Sequence, residues 1–186
     1  MKAMMMSIRP KHVKNILNCI KTLEIRKKFP KDYVGLVYIY CTKDKKYANL
    51  INRGGFLTGM VVARFWCDKV EEIKYHFGYY NMGEWAESYI LENSCLTAEE
   101  LDNYLQASKE YDEKKVSKVY GYAIHITKLE IFDKPKEISE FKSKLHIKNG
   151  CKNCPQNTGF SMPYCATCDF LLPLNRAPQS YQFIEI

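Results

Sequence analysis

Residues 7–26 read SIRPKHVKNILNCIKTLEIR, and two hydrophobic periods meet inside that stretch. Pro10 suits the first turn of a helix, where a missing N–H leaves no hydrogen bond unmade. Val13, Ile16, Leu17 and Ile20 follow at helical spacing, with Lys11, Lys14 and Asn15 on the other side. This pattern predicts a helix that starts at Pro10 and is ended by Lys21. Thr22-Leu23-Glu24-Ile25-Arg26 then alternates with the period of a half-buried strand. Leu23 and Ile25 are expected to face the core, and Thr22, Glu24 and Arg26 to line the opposite face together.

Working outward, Lys2 to Ile8 is a short apolar run, expected as a first strand, and Val34 to Cys41 (VGLVYIYC) is rich in β-branched and aromatic residues. Arg53-Gly54-Gly55 is a turn signal, and Thr58 to Val70 reads as a long strand opened near Gly59. The middle section reads as helical. Glu84 to Leu91 is one candidate; Thr97 and Glu100 have capping-box spacing, with Leu101, Tyr104 and Leu105 as the apolar stripe that follows. Val116 to Phe132 returns to strand with a break near Thr127, Pro135 to Phe141 suggests a short helix, and Ser180 to Ile186 a closing strand. There is no internal repeat. Several strands with an early helix and a helical excursion predict an α+β fold, a small mixed β-barrel with flanking helices rather than a doubly wound sheet.

A chain of 186 residues suits one domain that carries an insert and buries a real core. Hydrophobic residues are 46% and charged residues 26%, which excludes the fibrous and disordered classes. No apolar run approaches the ~20 residues of a membrane span. The start, MKAMMMSIRP, has too short an apolar stretch for a secretory signal, so the cytoplasm is the expected address.

The net charge of +7 is unevenly placed. Residues 1–46 carry twelve Lys/Arg against Glu24, Asp32 and Asp44, whereas residues 68–115 carry twelve Asp/Glu against five Lys. A basic half beside an acidic half attracts a polyanion to one face. The plainer reading, a set of solvated lysines, stands equally on composition.

Eight cysteines without a secretory signal argue against a disulfide scaffold. Cys19, Cys41, Cys67 and Cys95 are scattered and expected as buried, unreactive thiols. Residues 151–168 read CKNCPQNTGFSMPYCATC, in which Cys151/Cys154 and Cys165/Cys168 form two C-x-x-C pairs. Four thiolates at ~2.3 Å make the closed tetrahedral site of structural zinc, with no open position for a reacting water. Few large apolar residues surround them, so a metal staple would explain how an insert over residues 148–172 folds. Redox-active or unligated thiols are the alternative.

The segment from Asn18 to Arg26 resembles the signature of the ASCH (activating signal cointegrator homology) domain family, roughly G-x-K-x-x-E-x-R between an N-terminal helix and a strand. Ser7-Ile8-Arg9-Pro10, Val37-Tyr38-Ile39-Tyr40 and Arg176-Ala177-Pro178-Gln179-Ser180 complete the likeness to ASCH-domain proteins common in bacterial and prophage genomes. Together these motifs span nearly the whole chain as one domain, with the cysteine cluster as a late insert. Lys21, Glu24 and Arg26 match; Cys19 stands where the signature has glycine, and a side chain there strains a positive φ. The resemblance implies a PUA-like β-barrel with a cleft beside the first helix, and binding of RNA or modified nucleotides. It also implies a relative that deacylates N4-acetylcytidine with a Lys, a Thr and a distal Glu. Lys21 matches that lysine, but Glu24 occupies the Thr position, so that mechanism does not carry over intact.

The candidate ligand-binding residues are Ser7, Arg9, Lys21, Thr22, Glu24, Arg26, Gln179 and Ser180, with Lys21 and Glu24 catalytic only if the chain is an enzyme. Lys21 reads either as a phosphate or nucleophile partner with a pKa lowered by desolvation, or as a lysine favoured at a helix C-terminus. Glu24 suits a base's amino edge or general-base work, and Arg26 a phosphate or carboxylate fork. Their plainer reading is an ordinary strand-face ion pair. Ser7 and Arg9 lead into the helix. Gln179 and Ser180 offer neutral hydrogen bonds to a base edge, or simple turn chemistry after Pro178. Tyr38, Tyr40, Phe65 and Trp66 are stacking candidates that such strands usually bury. His12, His76, His125 and His146 show no ligand spacing. The leading expectation is a module binding RNA, single-stranded nucleic acid or a modified nucleotide in a basic cleft. The rivals are an amidohydrolase on N4-acylated cytidine-like nucleosides and a protein adaptor working through the acidic middle segment.

Overall fold

The computed structural model describes residues 2–44, 58–110, 118–144 and 171–186. Strand β1 (Lys2–Ile8) is the axis of the larger sheet, ordered β11-β10-β12-β1-β3-β4-β9. Its methionine run is continuous because both faces are covered: Met4, Met6 and Ile8 enter one core cluster, Ala3 and Met5 another. Such a doubly buried strand has no polar face to alternate with. β1 runs parallel to β3 (Gly35–Cys41), which requires a crossover. Helix α1 (Pro10–Leu17) and β2 (Leu23–Arg26) supply it. The chain's last strand, β12 (Tyr181–Glu185), pairs antiparallel with the other edge of β1.

The smaller sheet is ordered β2-β8-β5-β6-β7. It is tied to the larger one by a bent two-strand ribbon. β4 (Val61–Cys67) continues into β5 (Val70–His76), and β8 (Val119–His125) into β9 (Thr127–Lys136). β4 pairs β9 in the larger sheet, and β5 pairs β8 in the smaller. The bend is stitched by His125 N–H donating to the Lys69 carbonyl at 3.0 Å and Thr127 Oγ1 donating to Trp66 O at 2.7 Å. One core cluster fills the space between α1, β1, β3, β4 and β8. A second lies on the opposite face of the smaller sheet, under α2 (Glu87–Ser94) and α3 (Ala98–Leu105). This is the expected α+β class, dominated by sheet.

Several expectations hold to the residue. β1 spans Lys2–Ile8, and α3 carries the full Thr97/Glu100 capping box. The break in the late strand falls at Ile126, and Thr127 opens β9. Others shift for identifiable reasons. α1 ends at Leu17, four residues before Lys21, and Ile20 is 61% exposed rather than part of the apolar stripe. Tyr104 is likewise 40% exposed, with the Lys27 ammonium over its ring. Cys19 is exposed, not buried, because it adopts the left-handed conformation (φ 57°) that reverses the chain after α1. The long strand breaks at Asp68–Lys69, and the segment after it is a hairpin. Phe77 and Gly78, both at positive φ, form the two-residue loop that turns β5 into β6 (Tyr79–Met82), followed by the short β7 (Trp85–Ala86). Phe at a left-handed position carries no turn signal, which hides this hairpin from sequence reading. The segment from Pro135 forms only a 3-10 turn over Ile138–Glu140.

The Arg53-Gly54-Gly55 turn and the cysteine cluster lie outside the described residues. The ends of the cluster's segment are placed, however. β10 (Lys142–Lys144) pairs antiparallel with β11 (Leu171–Pro173), with Lys144 opposite Leu171. The described residues on either side of the cluster, Lys144 and Leu171, are therefore neighbours across this pair of strands. The expected insert boundary at 172 falls inside β11.

Candidate functional site

The left-handed turn at Cys19 decides where Lys21 goes. Ile20 N–H and Lys21 N–H both donate to the Asn15 carbonyl, at 2.9 and 3.1 Å, folding the chain back against the end of α1. The Lys21 side chain then runs inward and is 2% exposed as a residue. Its Nζ donates to the Ser94 carbonyl at 2.7 Å, at the C-terminal end of α2, where the helix dipole is negative. It also meets Glu24 Oε2 at 3.3 Å. Glu24 and Arg26, two apart on β2, point to one face, and Glu24 Oε1 forms an ion pair with Arg26 Nη2 at 3.0 Å. Arg26 Nη2 also donates to the Ser7 carbonyl at 2.7 Å, closing the gap between the end of β1 and β2.

Ser7 ties this cluster to the chain's last segment. Its hydroxyl donates to the Pro178 carbonyl at 2.5 Å and its backbone N–H to the Ser180 carbonyl at 3.0 Å. Thr22 lies at the rim, exposed, with its hydroxyl on Asn93 Oδ1 at 2.7 Å and its N–H on the Asn93 carbonyl at 2.9 Å. The structure thus brings together Ser7, Lys21, Glu24 and Arg26, with Ser180 joined through its backbone and Thr22 at the edge. Arg9 and Gln179 are exposed; the carbonyl of Arg9 accepts from the N–H groups of His12 and Val13 at the start of α1. The charged side chains of Lys21, Glu24 and Arg26 are 1%, 8% and 10% exposed, so they form a buried ionic cluster and not an open basic surface. Tyr38, Tyr40 and Phe65 are core.

Burial holds the Lys21 ammonium below its ordinary pKa, against the pull of Glu24. Burial pushes the Glu24 carboxyl up, but Lys21 and Arg26 together bring it below its usual value. Sequence reading missed one member of the cluster, His12. It lies on α1 within the electrostatic reach of both Lys21 and Glu24; burial and then Lys21 keep its pKa low, opposed by Glu24. Its position four residues before the core residue Ile16 was the available signal, because i and i+4 share a helix face. His12 Nδ1 and Arg26 Nε are both closed to solvent and without a hydrogen-bond partner among the described residues.

A separate open cavity of about 370 Å³ lies along β5 and β6, lined by Val70, Glu71, Glu72, Lys74, Asn81 and Gly83. It contains none of the nominated residues. Among the described residues no group of three or more His, Cys, Asp or Glu side chains is placed to hold a metal, and no helix is long and apolar enough to cross a membrane.

What the geometry defines is a sheet-dominated α+β domain whose first crossover carries a buried Lys–Glu–Arg cluster. Among solved structures, the chain is similar to two of ASCH proteins from Zymomonas mobilis. One is a mutant, at 12% identity, covering 73% of this chain and 76% of that one with a TM-score of 0.47. The other, at 12% identity, covers 73% of each chain with a TM-score of 0.44. No family model and no curated protein matches the chain.

Proposed function

We propose that this chain is an ASCH-type, PUA-like domain that binds RNA, single-stranded nucleic acid or a modified nucleotide at the Lys21–Glu24–Arg26 cluster. The observation that carries the reading is convergence. Residues far apart in sequence are joined in one run of contacts: Lys21 and Arg26 on Glu24, Arg26 on the Ser7 carbonyl, and the Ser7 hydroxyl on the Pro178 carbonyl. A buried carboxylate flanked by an ammonium and a guanidinium matches the mixed donor and acceptor edge of a nucleobase better than it matches an apolar ligand. Arg9, Gln179 and Thr22, all exposed, are the side chains assigned to the sugar or phosphate in this reading. The test is titration of the full chain with single-stranded RNA and with N4-acetylcytidine at several salt concentrations. Binding that weakens with salt, by a log–log slope of about −0.7 per phosphate neutralised, supports the nucleic-acid reading. RNA affinity that ignores salt, with no nucleoside bound, overturns it.

A second reading rests on the lowered pKa of Lys21. A buried amine that loses its proton easily is a competent base or nucleophile, with Glu24 as proton carrier. This is the amidohydrolase reading on N4-acylated cytidine-like nucleosides. Turnover of N4-acetylcytidine that Lys21→Ala abolishes selects it; no turnover across a panel of acyl nucleosides leaves the binder.

We also propose that Cys151, Cys154, Cys165 and Cys168 hold a structural zinc ion in an insert over residues 148–172. The donor set supports this, as does the pairing of β10 with β11, which sets Lys144 opposite Leu171 on either side of the cysteines. Metal analysis of the purified protein should give about one equivalent of zinc, the count that a four-thiolate site implies. A metal-free, fully folded protein refutes the assignment.

A further inference from the structure

The buried cluster is incomplete in two respects that point the same way. Lys21 and Arg26 bring two cations to one carboxylate, Glu24. Of the other charged groups that act on His12, Lys11 and Glu100 already pair with each other at 2.6 Å. One positive charge in the low-dielectric interior is thus left without a counter-ion among the described residues, an arrangement that costs free energy until an anion joins it. The second respect is hydrogen bonding. Arg26 is 9% exposed, yet among the described residues its Nε–H has no acceptor, and His12 Nδ1 has no partner either. An unpaired buried polar group carries its full desolvation penalty. Arg26 holds Glu24 directly, and the charges of Glu24 and Lys21 both act on His12.

We infer that this cluster seats an oxyanion group of the ligand, a phosphomonoester or a carboxylate, held by Arg26 Nε–H and His12, and that His12 is the specificity residue that reads it. The inference rests on the nucleotide-binding reading and sharpens it: a nucleotide should be preferred over the neutral nucleoside. Two oxygens of the anion take the two orphaned donors, His12 as its Nδ1–H tautomer, and the negative charge of the group offsets the surplus cation. Both nitrogens are closed to solvent, so side chains around Glu24 must part to admit the group. The relief of two unsatisfied groups and one unpaired charge offsets that opening.

Calorimetric titration of the full chain with cytidine, cytidine 5′-monophosphate, inorganic phosphate and acetate tests the inference. The monophosphate is expected to bind at least tenfold tighter than cytidine, and the ¹⁵N resonance of His12 Nδ1 to shift on adding it. Competition by phosphate but not acetate assigns the seat to phosphomonoesters; the reverse assigns it to carboxylates. His12→Gln and His12→Asn, each checked for a native melting transition, should cut the preference below threefold. Equal affinity for cytidine and its monophosphate overturns the anion seat while leaving the nucleotide-binding reading standing. A preference that survives both His12 variants overturns the role of His12. Binding of phosphate or acetate alone, with neither cytidine compound bound, keeps the seat and overturns the nucleotide reading. Binding of none of the four probes overturns both.

Discussion

Glu24 and Glu71 each lie between a lysine and a second basic side chain, on opposite faces of the smaller sheet. Glu24 pairs across from Ile124 and Glu71 from its neighbour Ala123. Glu24 holds Lys21 at 3.3 Å and Arg26 at 3.0 Å. Glu71 holds Lys69 and His125 more closely, both at 2.7 Å, but the Lys69 side chain is 57% exposed and His125 21%. Water can solvate Lys69 whether or not Glu71 is present, so its short contact adds little. The inner cluster has no such alternative. The two carboxylates are similarly buried, at 8% and 11% exposure, so it is the burial of their basic partners, not distance, that ranks the two clusters.

Neutralising each carboxylate is the strongest way to break the comparison. Glu24→Gln leaves two buried cations unpaired and should cost about 3–5 kcal/mol of stability in urea unfolding. Glu71→Gln should cost less than about 1 kcal/mol. Equal losses would mean that the inner cluster is better hydrated than its burial indicates.

Next in size is the apolar side of the same neighbourhood. A Cβ on Gly121 would meet Leu105 Cδ2 at 2.7 Å and the Arg26 carbonyl at 3.1 Å. The leucine tip can yield, but the strand backbone cannot. Gly121→Ala should therefore cost about 1–3 kcal/mol, read from the same unfolding curves. A neutral effect would show that α3 can slide off the sheet.

Acid sharpens the contrast further. The folded pKa of His12 lies below its ordinary 6.5, so the unfolded chain takes up that proton first and stability falls as pH drops below 6.5. The folded pKa of Glu24 lies below 4.5, so its contribution is complete above 4.5 and disappears as pH falls through the folded value. The melting temperature should therefore decline from pH 7 to pH 4, and His12→Gln should flatten the early part of that decline. An unchanged early slope in the variant would remove His12 from the cluster's energetics. The smallest expected effect is at the periphery: Thr97→Ala deletes the α3 cap and should cost about 1 kcal/mol without altering the acid profile.

The site was partly legible because strand alternation is local. A period of two puts Glu24 and Arg26 on one face and Leu23 and Ile25 on the other, whatever else the chain does. Both faces proved to be buried, because α1 and the larger sheet cover one and α2 and α3 the other. That is why an expected open cleft became an enclosed cluster. His12 was missed for a related reason: the helix period sets it on the face of Ile16 but does not say which charged groups that face will meet. The β5–β6 hairpin was missed because its loop places Phe77, not Asn or Gly, at the first positive φ.

The sequence alone determined β1, the start of α1, the alternation of β2 and the cap of α3, because each depends on residues within a few positions of one another. It also determined the spacing of the four late cysteines. Only the tertiary structure decided that Lys21 reaches the end of α2, 73 residues on, and that Ser7 is held by Pro178, 171 residues away. Those contacts depend on how two sheets bend around a shared ribbon, and no local period encodes the angle of that bend.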